Sequence, residues 1–370
     1  MKIALVRQKY TPYGGAERFV ARALEGLVAQ GVAVEIIARR WAPTAGVAGR
    51  RVDPFYLGRT WRDWSFARAV QRIIAAGDYD LVQSHERIPG CHVYRAGDGV
   101  HATWLELRGT RAPLSPWHRY TLAAEAALFR HPNLRAVICN STMVRDDIAR
   151  RFEVATEKLH VITNGVDLEQ FHPRLREAHR QALRQKLGVG ETARVALFVG
   201  SGYARKGLPA LLEAFASLAM PRTELWVVGR DRQEAAMQRR AEALLGSGRN
   251  SRVRFFGAQE DVRPFYGAAD LFVLPTRYDP FPNAVLEALA CGLPVITTTT
   301  CGAAERVGAS HGAVIRAGDV TALGERLTAL LAPGVSEAMR GAARESVADL
   351  DLASMTRRLL ALYQHLLARG

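Results

Sequence analysis

The chain has 370 residues, of which 48% are hydrophobic and 23% are charged, a composition typical of a folded globular protein. It lacks the low-complexity runs that mark disorder, and it exceeds the roughly 100 to 200 residues of one ordinary domain, so two domains are predicted. The net charge of +14 at pH 7 favours an anionic partner, either nucleic acid or lipid headgroups, or serves solubility alone.

The N-terminal stretch MKIALVRQKYTPYGG begins with a short apolar run that Arg7 and Lys9 follow. The run is too short for the core of a signal peptide or for a membrane span, and it predicts a first β-strand. No other window holds the roughly 18 uninterrupted apolar residues of a spanning helix. We therefore expect a cytoplasmic protein with reduced cysteines that bind no metal. The cysteines are Cys91, Cys139, Cys291 and Cys301.

Two glycines and a helical pattern follow the first strand, in QKYTPYGGAERFV. Gly14 and Gly15 would leave backbone N–H groups open to a ligand at the start of this helix, where the helix dipole favours an anion. A tight turn without a ligand is the alternative. The spacing is not GxGxxG, so it does not predict a dinucleotide site.

Aromatic and basic residues mingle between residues 101 and 130, in HATWLELRGTRAPLSPWHRYTLAAEAALFR. They are Trp104, Trp117, Tyr120, Arg108, Arg111, His118 and Arg119. Such mixtures are found at membrane surfaces, and an ordinary solvated helix with Trp117 in the core is the alternative. Residues 1–165 hold 24 Lys and Arg against 15 Asp and Glu. We therefore expect peripheral docking on the anionic inner leaflet of the inner membrane.

Strand-like and helical patterns alternate along the whole chain, as in KIALV, AERFVARALEGLVAQ and VAVEIIA, and again in RVALFVG, LPALLEAFASLA and ELWVVGR. Apolar strands separated by helices predict parallel sheets covered on both faces. The Asn-Gly turn and charged segment of VITNGVDLEQFHPRLREAH indicate a boundary near Gly165. We predict two doubly wound Rossmann-like α/β domains, residues 1–165 and 166–350. A last helix, residues 351–370, carries an apolar stripe that needs a surface to cover.

A buried-type strand of the second domain runs into a glycine-bearing loop and then a helix, in FVGSGYARKGLPALL. Arg205 and Lys206 lie beside the N-terminus of that helix. Arginine grips two oxygens at once and lysine adds a point charge, so the pair suits a diphosphate. A solvated basic turn is the alternative, although cations at a helix N-terminus are unfavourable unless an anion joins them.

Two carboxylates lie eight residues apart in YDPFPNAVLEALACGLPV, which follows the strand DLFVLP. Asp279 falls in the loop, and Glu287 falls one to two turns inside a helix that starts near Pro282 and stops at Gly292 and Pro294. The two carboxylates therefore do not share one helical face, which argues against a proton-sharing pair. We expect them to contact two parts of one extended ligand, with the free N–H groups of the first helical turn between them.

Four motifs, in this order, resemble the retaining GT-B glycosyltransferases of the glycosyltransferase 4 type. They are YGGAER after the first strand, NGVDLEQFHP near the linker, ARKGL in the second domain and DPFPNAVLEALACGLPV. In the last motif an acidic residue, seven others and Glu lead a small-residue helix. The resemblance covers essentially the whole chain, and it implies that the two domains face a cleft and that the C-terminal helix crosses back to the first domain.

The resemblance also implies how the donor is held. Arg205 and Lys206, helped by the turn at Gly14 and Gly15, would offset the charge of a departing diphosphate. A metal ion would then be unnecessary, and no cofactor is expected. The DxD sequence from Asp78 to Asp80 leads straight into an apolar strand and is interpreted as a turn.

The remaining roles concern the ribose, the donor sugar and the acceptor. Glu287 would bind the ribose hydroxyls. Asp279, with the backbone N–H groups of Phe281 and Asn283, would hold the sugar hydroxyls. Asp98, across the cleft, would orient the acceptor hydroxyl or support the positive sugar, and a simple turn residue is the alternative. Two departures from the family pattern concern these groups: Asp279 replaces a usual Glu, and Asp98 occupies a position where many members have His.

Within the family, KYTPYGGAERFV, VYRAGDGVH, VGSGYARKG and CGLPVITTTTCGAAE are most similar to the lipopolysaccharide core glucosyltransferases. This implies transfer of a hexose from a nucleotide-diphosphate sugar, UDP-linked, to the lipid-linked inner core. Retention would arise from front-face attack, with the leaving phosphate accepting the acceptor's proton. The alternatives are another glycolipid or polysaccharide-precursor acceptor, or a nucleotide-sugar-binding module without catalysis. Nucleic acid is not expected as a partner, because no recognition module is present.

Overall fold

The protein is described by a computed structural model that covers residues 2–10, 28, 31–41, 47–77, 79–109, 115–246 and 252–368. The chain divides into two compact units. The first unit consists of Met1–Gly165 together with Leu352–Gly370, and the second consists of Val166–Asp351. The division therefore falls at the Asn-Gly turn that ends at Gly165.

A parallel sheet forms the centre of the first unit, because its inner strands are short apolar runs buried on both faces. The unit contains β1 (Lys2–Val6), β2 (Lys9–Tyr10), β3 (Ala33–Ala38), β4 (Arg40–Trp41), β5 (Ala48–Arg51), β6 (Leu81–Ser84), β7 (Val93–Arg95), β8 (Ala136–Cys139) and β9 (Leu159–Val161). Within the described residues, seven of them form one sheet in the order β5-β3-β1-β6-β7-β8-β9, and β2 pairs separately with β4.

Helices cover this sheet. They are α1 (Gly58–Ala75), α2 (His101–Arg108), α3 (Pro116–Phe129) and α4 (Thr142–Phe152), followed by a short 3-10 helix, Thr156–Lys158. Ser115 and Ser141 begin α3 and α4 with side-chain oxygens that accept the N–H groups of His118 and Val144. These bonds satisfy donors that a helix start would otherwise leave open.

The second unit repeats the same plan. Its strands are β10 (Arg194–Val199), β11 (Thr223–Val228), β12 (Arg252–Phe255), β13 (Leu271–Val273), β14 (Val295–Thr298) and β15 (Gly312–Ile315). Its helices are α5 (Leu175–Leu187), α6 (Leu208–Ala216), α7 (Glu234–Leu245), α8 (Arg263–Ala268), α9 (Asn283–Ala290), α10 (Val320–Leu330), α11 (Val335–Ala338) and α12 (Arg340–Glu345), with a 3-10 helix at Gly302–Arg306. Over the described ranges the parallel sheet has the order β12-β11-β10-β13-β14-β15.

The order of the strands reverses once in each sheet, between β1 and β6 in the first unit and between β10 and β13 in the second. At such a reversal the loops that leave the two strands diverge to opposite faces and open a crevice beyond the carboxyl ends. Each unit therefore has one preferred place for a ligand.

The last helix, α13 (Leu352–Ala368), belongs to the first unit. Its buried stripe includes Met355, Leu359 and Tyr363, and it packs in one cluster with Ile3 and Leu5 of β1. The Tyr363 hydroxyl donates a 2.6 Å hydrogen bond to the buried Gln83 side chain. The prediction that the C-terminal helix covers the first domain is confirmed.

Two further features follow from the described residues. No helix among them is both long and apolar enough to cross a membrane. All four cysteines are buried and none forms a disulfide.

Candidate active site

The crevice of the second unit is formed by the loops that leave β10 and β13. These strands pair in parallel, with Ala196 opposite Leu271, so their carboxyl ends lie at the same edge of the sheet. The two loops bond directly to each other: the Arg277 N–H donates to the Arg205 carbonyl at 2.8 Å, and the Thr276 hydroxyl donates to the same oxygen at 3.0 Å. The basic loop and the Asp279 loop are thus one structure.

Asp279 lies between the two cations of the basic loop. Its Oδ2 atom accepts hydrogen bonds from Arg205 Nη1 at 3.0 Å and from Lys206 Nζ at 3.2 Å. Arg205 Nη1 also donates to the Tyr278 carbonyl at 2.9 Å. The side chains of Lys206 and Asp279 are only 12% and 10% exposed, which strengthens the pairing relative to an ion pair in water. The sequence predicted separate partners for these groups, and the structure joins them.

The backbone of Asp279 is fixed on both sides. It forms a parallel bridge with Cys301, its N–H donates to the Thr300 carbonyl at 3.1 Å, and its carbonyl accepts the Gly302 N–H at 2.8 Å. The loop is therefore held against the segment that follows β14. A carboxylate on such a rigid loop is well suited to orient ligand groups.

Glu287 is buried in the middle of α9, which begins at Asn283 after Pro282. Its Oε2 atom accepts a hydrogen bond from the Tyr266 hydroxyl at 2.9 Å. Phe281 is buried in the loop before the helix. The structure therefore places Glu287 inside the helix and Asp279 in the loop, in agreement with the sequence prediction.

The glycine loop before α6 is also held in place. Asp231 accepts the Gly202 N–H at 2.7 Å and the Tyr203 N–H at 3.1 Å. Gly207, the last residue before the helix, has a φ of 80°, and a Cβ there would lie 1.9 Å from the Pro275 carbonyl oxygen. Only glycine fits this backbone and this contact, so the loop approaches β13 closely.

Replacing Gly207 with alanine should therefore destabilise the second unit. The matched control is Gly188→Ala, because Gly188 has a φ of 63° with nothing within 4 Å of the added Cβ. The control should cost about 1 to 2 kcal/mol for the left-handed backbone alone. Gly207→Ala should cost a further amount of about 1 to 3 kcal/mol for the clash. Urea unfolding of both variants measures the difference, and equal losses would show that the contact with Pro275 relaxes at no cost.

The crevice of the first unit is a small polar pocket of about 80 Å³. It is lined by Arg7, His85, Glu86, Arg95, Gly97, Asp98, Asn140 and Asn164. Asp98 is exposed in the turn after β7, and the buried Asn140 amide donates to the Gly97 carbonyl at 3.1 Å, which fixes this turn. Asp98 is thus a turn residue that also faces a pocket.

Burial sets the protonation of the pocket. Burial and the nearby charges of Arg7 and Arg95 hold the pKa of His85 well below its usual range, so the imidazole is neutral at pH 7. Burial lowers the pKa of Arg95 to about 9, which leaves its guanidinium charged. Burial raises the pKa of Glu86. The pocket therefore presents the positive charge of its arginines beside the neutral His85 imidazole and the exposed Asp98.

Comparisons with known proteins point to the same family from both units. The model of Glycosyltransferase Family 4 matches residues 13–170, and the model of Glycosyl transferases group 1 matches residues 193–333. Lipopolysaccharide glucosyltransferase WaaG of Escherichia coli (strain K12) is 29% identical over 323 residues, which are 85% of either chain.

Solved structures have the same fold. The crystal structure of WaaG, a glycosyltransferase involved in lipopolysaccharide biosynthesis, superimposes with a TM-score of 0.82 at 27% identity, covering 97% of this chain and 99% of that one. This chain is a glycosyltransferase of the family 4 type. Anabaena Alr3699/HepE in complex with UDP-glucose has a TM-score of 0.74 at 20% identity, covers 99% of this chain and 100% of its own, and shows the fold alone. The predicted GT-B fold is confirmed.

Some of the predicted site residues are not among those described in the two crevices above. Gly14 and Gly15 lie outside the described residues, as does Asp78 of the DxD sequence. Asp80 accepts the backbone N–H of Lys2 at 2.7 Å at the start of the strand. Within the described ranges, no group of three or more His, Cys, Asp or Glu side chains is placed to hold a metal ion.

The aromatic and basic segment of the glycosyltransferase forms α2 and α3, and Arg111 lies outside the described residues. Trp117 is half-buried: its indole N–H donates to Asp63 at 2.7 Å, and the Arg59 guanidinium lies 3.3 Å from the centre of its ring. Trp104 and Tyr120 are half-buried as well. The Trp117 side chain is therefore held by partners within the first unit.

Several site residues were missed from the sequence. The polar residues that directly follow strands, Arg7 after β1, His85 after β6 and Asn140 after β8, carry a usable signal, because strand ends meet at the crevice of a parallel sheet. Tyr266 and Asp231 support other site groups from distant parts of the chain, and no local pattern identifies them.

Proposed function

We propose that this glycosyltransferase moves a hexose from a nucleotide-diphosphate sugar, UDP-linked, to the lipid-linked inner core of lipopolysaccharide, with retention of configuration and without a metal ion. The observation that carries the proposal is the cluster of Arg205, Lys206 and Asp279 at the strand reversal of the second unit. The similarity to a lipopolysaccharide glucosyltransferase supports the acceptor and the glucose-like sugar. A fold that accommodates UDP-glucose in HepE supports the donor.

Binding of the donor would break the ion pairs that Asp279 forms with Arg205 and Lys206. Arg205 and Lys206 would turn from Asp279 to the diphosphate, since two cations next to a helix start form a strong site for an anion. The Asp279 carboxylate would then accept hydrogen bonds from the sugar hydroxyls. The N–H groups of Phe281 and Asn283 would donate hydrogen bonds to the same hydroxyls. The sugar would thus replace the cations as the carboxylate's partner.

Glu287 would bind the two ribose hydroxyls, because a buried carboxylate offers acceptors for both. The Tyr266 hydroxyl holds one of its oxygens at 2.9 Å and so fixes the direction of the carboxylate. Gly14 and Gly15 would add backbone N–H groups on the phosphate side.

The transfer step would need no enzyme nucleophile. The bond between the anomeric carbon and the phosphate oxygen breaks, the acceptor oxygen bonds to that carbon on the same face, and the acceptor's proton passes to the departing phosphate. Arg205 and Lys206 would stabilise the negative charge that develops on the leaving group. These two cations would supply the positive charge that a metal ion supplies in other enzymes.

The first unit would receive the acceptor. Asp98 lines its pocket beside Arg7 and Arg95, and we assign to it the orientation of the acceptor hydroxyl or support of the positive sugar. A cytoplasmic, peripheral enzyme would bind a lipid-linked acceptor at the anionic inner leaflet. The excess of basic residues in this half of the chain supports that location.

A screen of nucleotide sugars by thermal unfolding tests the donor, because ligand binding raises apparent stability by mass action. A UDP-hexose should raise the unfolding midpoint more than GDP- or ADP-linked sugars, and the increase should disappear in Glu287→Ala if the ribose contact is right. Donor turnover should also persist in EDTA. Complete loss of turnover in EDTA, restored by manganese, would contradict the metal-independent reaction.

A further inference from the structure

A cluster of exposed apolar side chains lies at the start of α1. Among the described residues, eight large hydrophobic side chains are exposed, and five of them fall within residues 55–64. They are Phe55, Tyr56, Leu57, Trp61 and Trp64. Phe55 and Leu57 are 71% and 67% exposed, and Trp64 is 48% exposed. We call these five residues the α1 apolar patch. Leaving them in water forgoes a hydrophobic stabilisation that scales with their exposed apolar area.

The tryptophans of the patch lie on a different face of α1 from the residues that pack in the core. The core face of α1 holds Phe66, Val70 and Ile73, all of which are buried. A helix turns 100° per residue, so Trp61 and Trp64, which are three residues apart, share one face. That face lies opposite the core face. A helix that is apolar on two opposite faces has one partner in the fold and needs another outside it.

The stretch of chain that carries the patch is rich in arginine. Residues 48–72 contain six arginines and two aspartates, and no lysine or glutamate. Arg68 continues the tryptophan face by one turn and is exposed. The Arg51 side chain, which is 77% exposed, pairs only at its end with Asp53. The patch therefore combines exposed apolar side chains with an excess of arginines in the same stretch of chain.

This combination identifies the partner by its chemistry. Tryptophan, tyrosine and arginine together suit the boundary between lipid headgroups and acyl chains, where the rings enter the apolar layer and the guanidinium groups reach the phosphates. We infer that the α1 apolar patch inserts into an anionic phospholipid surface and is the membrane contact of the first unit. The inference rests on the proposed function in one respect, the need to meet a lipid-linked acceptor.

The inferred contact differs from the one that the sequence predicted. Trp104, Trp117 and Tyr120 of the segment 101–130 are half-buried, and Trp117 is held by Asp63 and Arg59. Asp63 and Arg59 belong to α1 itself, so α3 braces the helix that presents the patch. The segment would contribute by supporting the surface.

Vesicle co-sedimentation of the full chain tests the inference. Vesicles of phosphatidylcholine alone are compared with vesicles that contain phosphatidylglycerol. The protein should partition at least tenfold more strongly onto the anionic vesicles, and Trp61→Ser with Trp64→Ser should lower that partitioning at least tenfold. The matched control is Leu244→Ser with Val314→Ser, which removes exposed apolar side chains of the second unit and should change partitioning less than twofold.

Four outcomes separate the possibilities. Unchanged vesicle binding by a tryptophan variant whose unfolding midpoint is normal would overturn the inference. If that variant instead changes from dimer to monomer and still binds vesicles, the patch is a contact between two copies of the chain. Transfer to a delipidated, water-soluble acceptor should be the same in the variant as in the unaltered protein. Absence of transfer in both, with vesicle binding intact, would defeat the proposed function and leave the membrane contact standing.

Discussion

Replacing Lys206 with alanine is expected to lower kcat for sugar transfer by about 100-fold or more, the effect of removing one preorganised charge from a transition state. The Lys206 side chain is 12% exposed and lies 3.2 Å from Asp279, so its ammonium group already lies at the proposed donor site before the donor arrives. Its stem also packs against Gly200, where an added Cβ would lie 2.5 Å from Lys206 Cδ. Initial rates with saturating donor measure the effect.

The control for this prediction is Lys186→Ala, because Lys186 is an exposed lysine of α5 outside the site. It should leave kcat unchanged within twofold. A Lys206 variant that folds normally and keeps its kcat would remove the diphosphate role from Lys206.

Asp279→Asn should separate donor binding from transfer. The carboxylate of Asp279 competes with an incoming diphosphate for Arg205 and Lys206. Its neutralisation should therefore leave UDP binding as tight as before or tighter, whereas kcat should fall by about 100-fold, because the sugar loses a charged partner that is fixed in place. Isothermal titration with UDP and initial-rate measurements test the two halves independently.

Two further variants make the result interpretable. Asp261→Asn is the matched control, since Asp261 forms an exposed ion pair with Arg263 at 2.8 Å and should affect neither quantity. Asp279→Glu restores the residue that is usual in the family and should keep kcat within tenfold. UDP binding that weakens in parallel with kcat in Asp279→Asn would mean that the carboxylate serves to position the cations and does not contact the sugar.

The fold of this glycosyltransferase was largely predictable because its signals are local. Alternating apolar runs and helical patterns predicted two doubly wound domains, and the Asn-Gly turn predicted the boundary at Gly165. The start of α9 after Pro282 and its end before Gly292 followed from the preferences of proline and glycine at helix ends. The apolar spacing of the last helix predicted that it covers an apolar surface, and the family resemblance implied that this surface belongs to the first unit.

The ion pairs of the site were not predictable, because they depend on the pairing of strands that are distant in the sequence. Arg205 and Asp279 are 74 residues apart, and only the adjacency of β10 and β13 brings their loops together. The pocket around Asp98 draws on Arg7, His85 and Asn140 in the same way. The exposed face of α1 was missed because tryptophans in an amphipathic sequence suggest a core, and periodicity alone does not show which of two apolar faces is covered.

The most direct test of the central claim is a transfer reaction with UDP-glucose labelled at the anomeric carbon and a lipopolysaccharide core that ends before its first hexose. The product is followed by NMR in the presence of EDTA. We predict a single added glucose with the same anomeric configuration as in the donor, formed by the unaltered protein and lost in Lys206→Ala. A product of inverted configuration, or no transfer to this core while another acceptor is glycosylated, would contradict the proposed reaction.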